Sequence, residues 1–127
     1  MENHHGGVVL LDGHIYGASG NCNNRAARWK CQNLLTGEAK WESEKLNQTG
    51  SLTVAGGRIY IYGQNDGTVV LVEPSTKEWI ETGRFKIPET TKIERQSGKI
   101  WTHPVVSNGK LFLRDLDLVF CFDVSSK

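Results

Sequence analysis

Proline and cysteine are both scarce in this chain, with three of each in 127 residues. Cys22, Cys31 and Cys121 are an odd number without metal-ligand spacing, so no zinc site is expected. Free thiols are the plainer reading, and a Cys22–Cys31 bridge across a loop is the alternative. Charge of either sign is never concentrated. The formal net charge is +1, with no basic run and no acidic tail. Nothing electrostatic therefore argues for nucleic acid or an acidic membrane as a partner. Long apolar runs are missing too, and so are helical spacings. The opening Met1-Glu2-Asn3-His4-His5-Gly6-Gly7 has no basic region leading into an apolar one. Neither a secretion signal nor a membrane span is expected in this stretch. No serine, cysteine and histidine set shows a nucleophile pattern.

What the chain does contain is glycine, 14 residues of it, and apolar residues at alternating positions. One phrase occurs three times: an apolar strand, a turn closing on glycine, then a basic residue or histidine and an aliphatic–aromatic strand. The copies are Val9 to Gly17 around Asp12-Gly13, Thr53 to Ile61 around Gly56-Gly57, and Val105 to Leu113 around Asn108-Gly109. Each predicts a hairpin, because such pairs adopt the positive φ angles that two-residue turns require. The three second glycines stand 44 and then 52 residues apart, a spacing that points to a repeat architecture.

A second half-phrase follows each copy. An apolar strand reaches Asn33, Glu73 or Asp123, with Thr36, Thr76 or Ser126 three residues later. The first two copies then enter a strand carrying Trp41 or Trp79, whereas the third stops at the turn. The expected fold is therefore all-β, a β-propeller segment of three blades with four, four and three strands. A β-sandwich is the competing fold. It does not require the same turns and tryptophan to recur.

The first blade spans about 6–45, with strands at 6–11, 14–18, 28–33 and 39–44 around a polar loop at 19–25. The second spans about 50–86, with strands at 51–54, 58–62, 68–73 and 78–85. Its strand 68–73 is almost continuously apolar, as a strand covered on both faces would be. A polar linker, 87–100, leads to an incomplete third blade at about 101–127. Trp41, Trp79 and Gly37 are the expected inter-blade residues. A large flat ring after a Thr-Gly turn fills the gap between twisted sheets. Truncating Trp41 should then cost about 3–5 kcal/mol.

The pattern of an apolar pair, Asp/Asn-Gly, Ile-Tyr, then Asn/Asp-x-x-Thr-Gly-x-x-x-Trp resembles the repeat of pyrroloquinoline-quinone-like β-propellers. That group includes the quinoprotein alcohol dehydrogenases. Trp101-Thr102-His103-Pro104-Val105-Val106 and Leu111-Phe112-Leu113-Arg114-Asp115 look like the C-terminal end of such bacterial proteins. The resemblance implies blades of an eight-bladed ring and a periplasmic or extracytoplasmic location. The second copy departs from it, with Lys77 in place of the glycine and Trp79 two residues early. Quinoprotein dehydrogenases carry adjacent cysteines, a calcium ion and an aspartate base. This chain has no adjacent cysteines, and no residue matches the cofactor site. No cofactor is therefore expected. Pyrroloquinoline quinone and calcium enter only under the alternative that the chain is part of such an oxidoreductase.

The remaining candidates are few. His4, His5 and His103 precede the first and third inner strands at similar places, and could gather at one mouth of a central channel. Clustered imidazoles can hold a metal or an anion, against the plainer reading of a frayed terminus and one inter-blade hydrogen bond. Arg114 and Asp115 are further ligand-binding candidates at the same mouth, against the plainer reading of a pair stabilising their hairpin. Asn65-Asp66-Gly67 lacks the further acidic ligands of a calcium loop and reads as a turn. The expected role is a non-catalytic scaffold that binds a protein, peptide or carbohydrate through loops at one face. Three blades also leave open ends. The chain is expected to self-associate through them, or to sit within a longer propeller.

Overall fold

The computed structural model describes residues 1–20 and 27–125. Among them are eleven strands and no helix. They are β1 (Val8–Leu11), β2 (His14–Ser19), β3 (Arg28–Asn33), β4 (Ala39–Ser43), β5 (Gly50–Ala55), β6 (Arg58–Gly63), β7 (Thr68–Glu73), β8 (Ile80–Lys86), β9 (Val105–Ser107), β10 (Lys110–Asp115) and β11 (Leu118–Asp123). They form three antiparallel sheets, ordered β1-β2-β3-β4, β5-β6-β7-β8 and β9-β10-β11. The division into four, four and three strands is the one the repeated phrases predict.

The turns form for the expected reason. Asp12 and Gly13 have φ of 45° and 73°, Gly56 and Gly57 56° and 72°, and Asn108 and Gly109 49° and 69°. Two successive positive values match the twist of the flanking strands. These turns all lie at one end of the sheets. The connections between sheets lie at the other, called here the loop end.

Period-two alternation decides what each sheet buries. In the first sheet Tyr16, Ala18, Trp29 and Cys31 face the second sheet, which answers with Leu52, Ile59, Ile61, Val70 and Val72. The opposite face of the second sheet carries Tyr60, Tyr62 and Val69, which meet Leu111 and Leu113 of the third. The second sheet is thus covered on both faces, which explains the continuous apolar run of β7. Between sheets, the strands that approach closely are β1 with β5, β2 with β5, and β5 with β9. The outer strands β4, β8 and β11 make no such approach to a neighbouring sheet. The sheets therefore fan out from their first strands.

Trp41 lies between the first and second sheets, as expected. Its ring is half-buried, its Nε1 donates to the Ser75 carbonyl at 2.7 Å, and it meets Trp79 edge-on at 6.0 Å. Trp79, however, is not its counterpart in the repeat. It precedes β8 and turns back onto the first sheet, with its ring 6.3 Å from Trp29. Cys31 pairs with Trp41 and Leu71 with Gly83, and a bulge follows directly after Cys31 and after Leu71. Gly83 therefore occupies the register position of Trp41. Matching the two tryptophans along the chain misses this, because the β7–β8 turn is longer than the β3–β4 turn. Gly37 is likewise not an inter-sheet residue. It is exposed in the β3–β4 turn at φ 73°, and its amide donates to the Asn33 carbonyl.

Cys31 is a free, buried thiol that faces the first core, and Cys121 is a free, exposed one. The alternative Cys22–Cys31 bridge involves a residue outside the described ones.

The connection between the first two sheets hooks onto the β6–β7 turn. The Gln48 carbonyl accepts from Trp29 Nε1, and its side-chain amide donates to Asp66 at 2.7 Å. Asp66 also accepts from the amide and hydroxyl of Thr68 and pairs with Lys86 at 2.9 Å. The segment is a turn, as read from the sequence. Burial works against the Asp66 charge, but the bonds from Gln48, Lys86 and Thr68 outweigh it and hold the carboxyl well below its usual range. A lowered folded-state pKa contributes stability above the unfolded value of about 4. That contribution disappears as pH falls from there through the folded value. Asp66→Asn should therefore lower the melting temperature at neutral pH and narrow its gap to the parent in acid. A gap independent of pH would refute this.

Candidate functional site

The expected site residues His4, His5, His103, Arg114 and Asp115 all lie at the loop end, where the first strands of the sheets converge. The N-terminal segment is tied down there. The Glu2 amide donates to Ser19 Oγ at 3.0 Å, and the Gly20 amide donates to the Glu2 carbonyl at 2.9 Å. Asn3 Nδ2 donates to the carbonyls of Gly7 and Ala18. This holds His4 and His5 against the third sheet's entry, with their ring centroids 3.8 Å apart. His103 joins them through the backbone, its Nε2 lying 3.1 Å from the His5 carbonyl. The rings of His4 and His5 thus meet, whereas His103 reaches only the His5 backbone. Among the described residues, though, no three His, Cys, Asp or Glu side chains are grouped to hold a metal ion.

The residue that organises this end is Trp101, which the sequence marked as the start of the third unit and of its family-like motif but not as a site residue. Its ring stacks on His5 at 4.0 Å, with the planes tilted by 37°. Its Nε1 donates to Gln64 Oε1 at 3.2 Å. Gly98 makes room for it, since a Cβ there would stand 2.7 Å from the indole. Trp101 remains partly exposed and forms one wall of a 490 Å³ cleft. Arg95, Lys99, Thr102, Arg114 and Leu116 also line it, together with the carboxylates of Glu94 and Asp115. On the histidine side of the ring the space is only about 10 Å³, too little for a ligand.

Arg114 and Asp115 do not pair with each other. Successive strand residues point to opposite faces, so Arg114 stays exposed, its Nε donating to the Leu116 carbonyl at 2.8 Å. Asp115 is fully buried and pairs with Arg95 from the linker. It also accepts from the Thr91 amide at 2.9 Å. Burial, and then the Asp115 charge, push the neighbouring Tyr62 phenol above its ordinary range. The linker is consequently more than a surface excursion. Ile87 and Ile100 enter the second core, and their amides donate to the carbonyls of Gly67 and Gln64. Nothing local in the polar stretch 87–100 marks Arg95 as the partner of a residue twenty positions away.

The loop end thus offers a flat ring, two exposed cations and hydrogen-bonding side chains around a preformed cleft. Such a surface suits recognition of a planar or polyhydroxyl group. Compared with known proteins, the chain matches no family model and no curated protein.

Proposed function

We propose that this chain is a non-catalytic β-propeller segment of the quinoprotein-like repeat type, whose loop end binds a protein, peptide or sugar. The observation that supports it most is the fan of sheets. They pack face to face, meet along β1, β5 and β9, and separate outward, as blades do around an axis. The shared bulge after Cys31 and Leu71 supports a repeated blade unit. Trp101 provides the recognition surface, because an indole held on one side stacks readily with a sugar or an aromatic side chain. Probing glycan and peptide arrays with the parent and with Trp101→Ala tests this. A ligand bound by the parent and lost in the variant is expected. Binding that survives the substitution unchanged would move the site away from the loop end.

The outermost faces favour continuation of the stack. The first sheet presents Val8 and Leu10 outward, and the third presents Val105, Phe112 and Val119. Val119 is 66% exposed. On β11 the edge away from β10 has no strand partner among the described residues. Apolar faces and open edges of this kind draw further sheets. They are completed by the rest of a longer ring, such as an eight-bladed one, or by a second copy. For the isolated chain we expect light scattering at micromolar concentration to give a mass of two chains or more, and Val119→Lys to lower it. A monomeric parent would exclude self-association through these faces.

A further inference from the structure

The register position shared by Trp41 and Gly83 has a consequence at the interface between the second and third sheets. At the first interface the Trp41 ring fills the space and its Nε1 bonds to the Ser75 carbonyl, two residues past the end of β7. At the second interface no ring stands at that register position, and Phe85 of β8 meets Phe122 of β11 beside it, with ring centroids 4.8 Å apart. A cleft of about 250 Å³ lies there, lined by Tyr60, Val69, Leu71, Gly83 and Phe85 on the second sheet. Its far wall is Val124 and Ser125. Ser125 stands two residues past the end of β11, as Ser75 stands past β7.

Nothing in the backbone requires glycine at position 83. Its φ is not in the left-handed region. A Cβ there would meet only Leu71 Cβ, at an ordinary 3.8 Å. The side chain is missing from a position that has room for one. A cavity of about 150 Å³ with apolar walls is large enough to bind benzene, so this one has space for a bicyclic ring. Two arginines lie at its rim. Arg84 is committed to Glu81 at 2.8 Å and to the Lys45 carbonyl at 3.0 Å. Arg58 is exposed and makes no ion pair or side-chain hydrogen bond among the described residues.

We propose that this cleft binds a small planar heteroaromatic carboxylate, its ring in the place that Trp41 takes one interface earlier. The ring N–H donates to the Ser125 carbonyl, as Trp41 donates to Ser75, and the carboxylate faces Arg58. The inference rests on strand register and not on a closed ring, so it and the loop-end reading fail separately.

Indole-3-acetate and indole are the probes, titrated into the full chain by calorimetry and by amide chemical shifts. Saturable binding of indole-3-acetate is expected, tighter than that of indole, with shifts centred on Leu71, Gly83 and Ser125. Gly83→Trp should supply the ring covalently, keep or raise the melting temperature, and weaken binding by about tenfold or more. Arg58→Ala, at an exposed position, should weaken the acid and leave indole unchanged. No saturable binding to the parent, or undiminished binding to Gly83→Trp, overturns the site. An acid affinity unaltered in Arg58→Ala overturns the carboxylate assignment.

Discussion

Trp29→Ala is expected to be the most damaging single substitution in the first core, costing about 4–5 kcal/mol of stability. Trp29 is 2% exposed, packs against Trp79 across the sheet interface and donates from Nε1 to the Gln48 carbonyl. Its removal leaves a cavity in the first core and strips the Gln48 carbonyl of its donor. That carbonyl belongs to the segment that reaches Asp66, so the link between the two sheets weakens as well. Trp41→Ala should cost less, about 3 kcal/mol, because the ring is half-buried and water can enter the space. Denaturant titration distinguishes the two through their midpoints at constant slope. Equal losses, or a Trp29→Ala protein as stable as the parent, would show that the first interface does not depend on its tryptophans.

The second large effect is expected at Arg95. Arg95→Ala leaves the Asp115 carboxylate fully buried, with the Thr91 amide among its remaining donors. Breaking one side of such a pair costs about 3–5 kcal/mol, most of it the penalty of an uncompensated buried charge. The linker should loosen too, since Arg95 Nη1 also donates to the Lys99 carbonyl at 3.2 Å. Hydrogen exchange across 87–100 is expected to rise ahead of global unfolding. The double substitution Arg95→Met, Asp115→Leu removes both charges and should recover most of the lost stability. If the double variant is as unstable as Arg95→Ala, the loss comes from packing and not from the stranded charge.

The strands and their turns were legible along the chain. Asp12-Gly13, Gly56-Gly57 and Asn108-Gly109 adopt their φ angles for local steric reasons. Alternation along β2, β6 and β10 sets which side chains share a face. The apolar run in β7 required cover on both sides, and the second sheet has it. These features depend on residues close in sequence, where dihedral preferences and the two-residue repeat leave little choice. Other features depend on which surfaces meet. Trp79 turns back to the first sheet because the longer turn leaves it ahead of β8, short of the position that Gly83 takes. Asp115 takes Arg95 and not its neighbour Arg114, since the pleat sends adjacent side chains apart and the linker crosses the buried face. His103 reaches His5 across 98 positions, and Trp101 finds its place between His5, Gly98 and Gln64. Composition and spacing determined the sheets. Only the packing of one sheet on the next decided which tryptophan fills an interface, and which register position is left without a side chain.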